Sequence, residues 1–131
     1  YNRYYGSRTE HMFAFKDYFD NGIISAIGSD SPITYPDPMN SLYGALNRLD
    51  QKNGEEVGIS QRINVLQAVR AFTYNGAYSS FEENLKGSLE TGKLADVVIL
   101  DHDILTYPKE QIRDVKVNYT IIDGEIVYQR S

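Results

Sequence analysis

The sequence contains no cysteine, no tryptophan and only two histidines among its 131 residues. Without cysteine, the chain can form neither a disulfide scaffold nor a metal site with thiolate ligands. His11 and His102 lie far apart, so no His-x-His or His-x-x-x-His pair is present. Because a catalytic zinc needs about three protein ligands, we expect this chain alone to hold no catalytic metal.

Long apolar runs and an excess of positive charge are also missing. No apolar run approaches the roughly 20 residues that a membrane span needs. The net charge of −5 argues against binding to nucleic acid or to an anionic membrane surface. We therefore expect neither nucleic acid nor a membrane as a partner.

What is present is typical of a globular domain. The apolar fraction of 41% and the charged fraction of 24% are close to the average of folded proteins. The chain begins at Tyr1 rather than at a methionine and shows no signal-peptide pattern. We expect it to be a piece of a longer protein, for which a cytoplasmic location is favoured although a targeting signal upstream would not be observable.

The first third predicts a helix, a strand and a rigid loop. Apolar residues at near-helical spacing predict an amphipathic helix over residues 7–20, closed by Asn21-Gly22. Residues 23–27, "IISAI", do not alternate between apolar and polar, which favours a buried strand of parallel type. The loop "SPITYPDP" follows, and its three prolines restrict the backbone.

Two more helices and then strands are predicted. Asp37-Pro38 is a typical helix start, with Leu42, Ala45, Leu46 and Leu49 on one face. A third helix is predicted from a cap at Ser60 to Asn75-Gly76. Its apolar side comprises Val65, Leu66, Val69 and Phe72. Residues 93–100 and 115–122 are strand-like, and Asp123-Gly124 predicts a hairpin into "EIVY".

Asp30 is the main candidate for a functional residue. It follows the predicted strand, at the position where α/β folds place ligands and catalytic groups. Its small neighbours Gly28, Ser29 and Ser31 would let a substrate or metal approach. The local sequence alone favours a simpler role, in which the carboxylate caps the turn before Pro32.

A phosphate-binding loop is not indicated. The stretch "GSLETGKLAD" has two glycines and a lysine, but their spacing differs from Gly-x-x-x-x-Gly-Lys-Ser/Thr. We interpret Lys93 as solvent-exposed.

Two segments together resemble the amidohydrolase superfamily, in particular its YtcJ-like branch. The first, "GSRTEHMFAFKDYFDNGIISAIGSDSPITYPDPMNSLYGALNR", is similar to that branch's Gly-x-x-Arg helix followed by Gly-Ser-Asp-x-Pro and Asp-Pro. The second runs from "ISQRINVLQAVRAF" through "GSLETGKLADVVILD" to "TIIDGEIVY", and resembles the C-terminal signature of the family. "Gly-Ser-Asp" alone would be a weak signal; the two segments at this distance are a strong one.

The resemblance implies an α/β fold. The chain would be the C-terminal fragment of a (β/α)8 barrel, namely its last strand and helices, plus the C-terminal strands of an attached small β domain. Residues 1–85 would belong to the barrel and residues 86–131 to the composite β domain.

The resemblance also implies roles for individual residues. Residues 23–27 match the eighth barrel strand, and Asp30 matches the Asp that serves as catalytic base and binds or neighbours a divalent metal, most often zinc. Arg8 matches the arginine of the family's helix, with a contact near the site mouth as its only suggested role. The histidine ligands of the family match nothing in this chain, so we expect the isolated chain to bind no catalytic metal and to be inactive.

The function implied for the longer protein is hydrolysis of a small-molecule amide at a C–N bond other than a peptide bond. The alternative is a free-standing regulatory or binding module derived from the hydrolase tail, similar to relatives named as regulators of exoenzyme production. An isolated barrel strand has two open edges, so we further expect homo-oligomers formed through open strand edges.

Overall fold

The computed structural model describes residues 2–50 and 52–131. The helices are α1 (Asn2–Tyr5), α2 (Phe15–Asp20), α3 (Pro38–Asn47), α4 (Val65–Phe72) and α5 (Tyr74–Ser79). Short 3-10 helices occupy Gly6–His11, Ile59–Gln61 and Lys109–Asp114, and the strands are β1 (Val97–Leu100), β2 (Val117–Ile122) and β3 (Glu125–Gln129). Among the described residues, no helix has both the length and the apolarity to cross a membrane.

Helix α3 is the centre of the core. It begins as the sequence predicts, because the Asp37 side chain accepts a hydrogen bond of 2.9 Å from the Met39 backbone N–H and Pro38 occupies the first turn. The predicted apolar face is confirmed as buried at three positions, Leu42, Ala45 and Leu46. Leu49 lies beyond the end of the helix and is only partly buried.

The strands form one antiparallel sheet in the order β1-β2-β3. Val98 pairs with Thr120, and Thr120 pairs with Tyr128 on the other side. The predicted hairpin is confirmed: Asp123 and Gly124 have φ values of 50° and 82°, as a two-residue turn of this kind requires. β1 and β3 are the two edge strands of the sheet among the residues described.

Asp101 fastens the end of β1 to the rest of the sheet. Its carboxylate accepts hydrogen bonds from the Lys116 backbone N–H at 2.9 Å and from Arg130 at 3.0 Å, and lies 2.8 Å from Nδ1 of His102. The pKa of Asp101 is lowered to about 2, first by the hydrogen bond from the Lys116 backbone N–H and next by the hydrogen bond with His102. Asp101 therefore remains an ionised acceptor over the whole range from mildly acidic to neutral pH.

The sheet and the helices share one core. Ile112 and Val115, which lead into β2, are buried in the same cluster as Leu42 and Leu46 of α3. Side chains that follow β1 also pack against this cluster, among them Ile104 and Tyr107. The division of the chain at residue 85 stays a prediction.

The single helix predicted over residues 7–20 is wrong. The chain forms the 3-10 helix Gly6–His11 and then α2, with a break at residues 12–14 where Phe13 has a φ of 50°. The physical reason is a long-range contact: the guanidinium of Arg48 binds the carbonyl oxygens of Met12 and Phe13. Helical periodicity in the sequence does not reveal such a contact. Gly22, with a φ of 68°, does end α2 as predicted.

The predicted third helix is wrong at both ends. Ser60 lies in the 3-10 helix Ile59–Gln61, and the true cap of α4 is Asn64, whose side chain forms a reciprocal capping box with Gln67. Asn75 and Gly76 do not end the helix; they lie within α5, which follows α4 after Thr73. Leu66, predicted to be on the apolar side, is exposed.

The predicted buried strand at residues 23–27 is not formed in this chain. The segment pairs with no strand among the described residues, and Ile23 and Ile24 are 53% and 44% exposed. A strand needs lateral neighbours, whereas helices α4 and α5 offer this segment only one backbone carbonyl and one side-chain amide. Burial nevertheless alternates along it, with Ser25, Ile27 and Ser29 the half-buried positions, as in an extended chain.

Candidate functional site

Two hydrogen bonds fix the segment that leads to Asp30. The Ile27 backbone N–H donates to the carbonyl oxygen of Ala71 in α4 at 3.3 Å. The side-chain amide of Asn75 in α5 donates to the carbonyl oxygen of Ser25 at 2.9 Å. Helices α4 and α5 therefore hold the segment from one side.

Asp30 lies where this segment turns. Its φ of 56° is in the left-handed region, which Asp adopts more readily than most residues. The turn is closed by a hydrogen bond of 2.8 Å from the Ile33 backbone N–H to the Asp30 carbonyl oxygen and by the Thr34 hydroxyl, which donates to the Ser29 carbonyl. The Ser31-Pro32 peptide bond inside the turn is cis.

The carboxylate of Asp30 is exposed and has no hydrogen-bond or ion-pair partner in the part of the chain that the structure describes. The turn-capping role that the local sequence favoured is therefore not what the side chain does. The backbone carbonyl of Asp30 makes the closing contact, and its side chain is left for another group.

Asp30 borders a cavity of about 410 Å³. Helix α3 forms one wall with Asn40, Ser41 and Gly44, and the turn forms another with Gly28, Ser29 and Tyr35. The cavity is large enough for a small molecule. Its wall combines apolar side chains with a few polar groups, as in many small-molecule sites.

Arg48 also lines this cavity and is only 7% exposed. It follows α3 with a left-handed φ of 56°, and its Nε donates to the carbonyl oxygens of Val57 and Gly58 at 3.0 and 3.1 Å. One terminal nitrogen donates to the Met12 carbonyl at 2.5 Å. Burial lowers the pKa of Arg48, but a guanidinium stays protonated in proteins. Arg48 thus joins three separate segments of chain around the cavity.

The residues of this chain do not complete a metal site. Apart from Asp30, the one other carboxylate along the described wall is Asp50, and both histidines lie elsewhere. Asp50 is engaged in its own loop, because the backbone N–H groups of Lys52 and Asn53 bind it and lower its pKa. No group of three or more His, Asp or Glu side chains in the described residues is placed to share an ion.

The other candidate residues lie away from the cavity wall. Arg8 is exposed in the 3-10 helix Gly6–His11, where its guanidinium lies 5.6 Å from the Tyr5 ring. His11 is exposed in the same helix. His102 follows β1 beside Asp101.

The interpretation of Lys93 as solvent-exposed is wrong. Its side chain is only 11% exposed; it donates to the Ser88 hydroxyl at 2.5 Å and lies 5.8 Å from the centre of the Tyr74 ring. The local sequence gave no sign of this contact with α5.

Two residues that organise the site, Arg48 and Asn75, were given no functional role from the sequence. Arg48 ends a predicted helix, where a basic side chain is ordinarily explained by the helix dipole. Asn75 precedes a glycine, which is the usual signature of a helix end. In both cases the local sequence has a common explanation, so it does not indicate the long-range hydrogen bond that the residue makes.

Comparison with solved structures identifies the fold. An amidohydrolase from Thermotoga maritima superimposes with a TM-score of 0.67 at 19% identity, over 93% of this chain and 26% of that one. Guanine deaminase of E. coli also gives a TM-score of 0.67, at 18% identity, over 94% of this chain and 33% of the deaminase. The fold is thus that of a part of these larger proteins.

The chain belongs to the amidohydrolase family, whose model matches residues 2–128. YtcJ of Bacillus subtilis, named as an amidohydrolase, is 30% identical over 95% of this chain. The N-substituted formamide deformylase of Arthrobacter pascens is 27% identical over the full chain. The chain spans about a quarter of the length of these curated relatives, 24% in both cases.

Proposed function

We propose that this chain is the C-terminal part of a metal-dependent hydrolase that cleaves a C–N bond, other than a peptide bond, in a small amide. In this proposal, residues 23–27 are the last strand of a (β/α)8 barrel, residues 1–85 belong to that barrel, and residues 86–131 complete a small β domain. The family membership supports it, as do the names of two similar proteins, a formamide deformylase and a guanine deaminase.

Asp30 is the residue that we assign to the reaction. Its carboxylate would take a proton from the attacking water as the water oxygen bonds to the amide carbon. When the C–N bond breaks, the same proton passes to the departing nitrogen, which leaves as an amine. The observation that supports this assignment is the unpaired carboxylate of Asp30 at the edge of the cavity.

A divalent metal, with zinc as the first candidate, belongs to the proposal only for the longer protein. When bound, such a metal would act as a Lewis acid and lower the pKa of a bound water molecule. One free carboxylate does not fit a complete site, so the remaining ligands have to come from residues outside this chain. We call this chain together with the rest of a full amidohydrolase the family-length protein.

The test compares the family-length protein with the 131-residue chain, using an N-substituted formamide and a panel of cyclic amides. We expect hydrolysis only by the family-length protein, lost on chelation and restored by a divalent metal. We expect the short chain to bind no catalytic metal, so calorimetry should show no tight one-to-one binding of zinc. Hydrolysis by neither protein, with the family-length protein properly folded, would contradict the enzyme and favour the regulatory or binding module.

We also propose that the 131-residue chain associates with itself through its open strand edges. β3 is exposed along its whole length, with Ile126 and Val127 at 61% and 56% exposure, and no strand lies beside the 23–27 segment among residues 2–50 and 52–131. Such edges pair readily with another chain. Sedimentation velocity should reveal dimers or larger species as the concentration rises, and Val127→Lys should weaken them. A single monomer boundary at every concentration would contradict this proposal.

A further inference from the structure

Asn75 stands out as a buried polar residue whose role the reaction scheme does not explain. It is 2% exposed and, with Ile112, is one of the two largest fully buried side chains. A buried amide in a helix is costly unless it is hydrogen-bonded, and an apolar residue would fill the same space at less cost. Asn75 therefore calls for a specific reason.

The contact of its side chain supplies that reason. Asn75 Nδ2 donates to the Ser25 carbonyl oxygen at 2.9 Å, across 50 positions of sequence. A carbonyl oxygen only accepts hydrogen bonds, so the amide orientation is fixed by chemistry: the nitrogen must face Ser25. The other end of the amide, Oδ1, is buried without a partner in the described part of the chain, as is the Ser25 hydroxyl. The side chain is thus only half satisfied, and the one bond it makes is to the segment that carries Asp30.

The location of this bond matters because the segment has few other restraints. Between Ile23 and Asp30, two hydrogen bonds join the segment to helices α4 and α5: the bond from Asn75 to Ser25 and the bond from Ile27 to Ala71. Asp30 itself follows three residues after Ile27, in a turn whose closing bonds are all internal to residues 29–34. The position of the whole turn relative to α3 and Arg48 therefore depends on these two bonds, on the packing of Ile27 against the core cluster and on the short connection through residues 35–37 to α3.

We propose that Asn75 is a positioning residue: its amide holds the Ser25 carbonyl and thereby fixes Asp30 at the edge of the cavity. This inference rests on the proposed function for its consequence in the reaction, but the tether itself is a property of the 131-residue chain. Asn75 is not among the residues that line the cavity beside Asp30, so in this proposal it acts through the backbone of residues 25–30.

The test measures amide hydrogen exchange by NMR in the 131-residue chain. In Asn75→Leu, which keeps the number and branching of the side-chain heavy atoms but removes the donor, the Ile27 amide should exchange faster, on the order of tenfold, as expected for the loss of one hydrogen bond. The Ile23 amide, bonded to the Tyr18 carbonyl at the end of α2, should be unchanged, as should the amides of β2. Asn75→Ala serves as a second variant if leucine overpacks the site and the protein fails to fold.

Asn47→Leu is the matched control. Asn47 is also buried, at 3% exposure, and its Nδ2 also donates to a distant carbonyl, that of Lys109 at 2.8 Å. Its loss should speed exchange around residue 109 and leave Ile27 unchanged. If Ile27 responds equally to both substitutions, or to neither, Asn75 has only a general structural role and the proposal is wrong.

A second readout connects the tether to the reaction. In the family-length protein, Asn75→Leu should lower kcat with little change in KM, since the carboxylate is displaced while the rest of the site is intact. Unchanged kcat despite faster Ile27 exchange would overturn the role in positioning. A separate result would contradict the proposed function alone. This would be an unchanged kcat in Asp30→Asn together with faster exchange of the Ile27 amide in Asn75→Leu.

Discussion

Replacement of Asp30 by asparagine in the family-length protein should lower kcat/KM by about 100- to 10,000-fold, the range typical of removing a general base. Asparagine has nearly the shape of aspartate and tolerates the left-handed backbone conformation at this position. It cannot accept a proton from water near neutral pH. The loss should therefore appear in hydrolysis of an N-substituted formamide without a matching loss of folding, which circular dichroism and the melting temperature would check.

Asp50→Asn is the matched control for this prediction. Asp50 borders the same cavity, but its Oδ1 accepts backbone hydrogen bonds from Lys52 and Asn53. An asparagine oxygen can accept the same bonds, so the activity should stay within a few-fold of the original. Equal effects of the two substitutions would mean that the cavity responds only to its total charge, and the special role of Asp30 would be wrong.

Gly58→Ala should destabilise the fold more than any other glycine-to-alanine change near the cavity. Gly58 has a φ of 59°, and a Cβ at this position would lie 2.6 Å from the Thr9 carbonyl oxygen and 2.7 Å from a terminal nitrogen of Arg48. The left-handed backbone costs roughly 1–2 kcal/mol with a side chain, and overpacking adds about 1–3 kcal/mol. We expect a loss of about 2–5 kcal/mol in the free energy of unfolding, measured by urea denaturation.

Gly54→Ala separates the two contributions. Gly54 has a similar φ of 71°, but nothing lies within 4 Å of its would-be Cβ. It should lose only the backbone contribution of about 1–2 kcal/mol. If Gly58→Ala proves at least as stable as Gly54→Ala, then Arg48 and the Thr9 backbone are not packed around Gly58 as described.

The sequence predicted best those elements whose signals are local. The Asp37-Pro38 cap and the Asp123-Gly124 hairpin depend on residues adjacent in the chain, and the structure has both. The position of Asp30 at a turn after an apolar segment was also predictable, since small residues and a proline mark the turn. The free carboxylate was not, because the local pattern favours a capping side chain.

The sequence failed where distant residues decide the local structure. The break between His11 and Phe15 exists because Arg48 binds two carbonyl oxygens 35 and 36 residues away. The 23–27 segment has the composition of a buried strand, yet strand formation requires neighbours, and the described residues place no strand beside it. The low exposure of the Lys93 side chain likewise depends on its contact with the Tyr74 ring. No pattern along residues 87–96 indicates this contact.

The placement of Asp30 beside the reacting groups is the central claim, and a crystal structure of the family-length protein grown with zinc tests it most directly. Anomalous scattering would locate the metal without reference to any assignment of ligands. The account predicts the Asp30 carboxylate at the metal site, either about 2 Å from the metal as a ligand or about 2.7 Å from a metal ligand as its hydrogen-bond partner. A metal held elsewhere, with Asp30 facing bulk solvent, would contradict it.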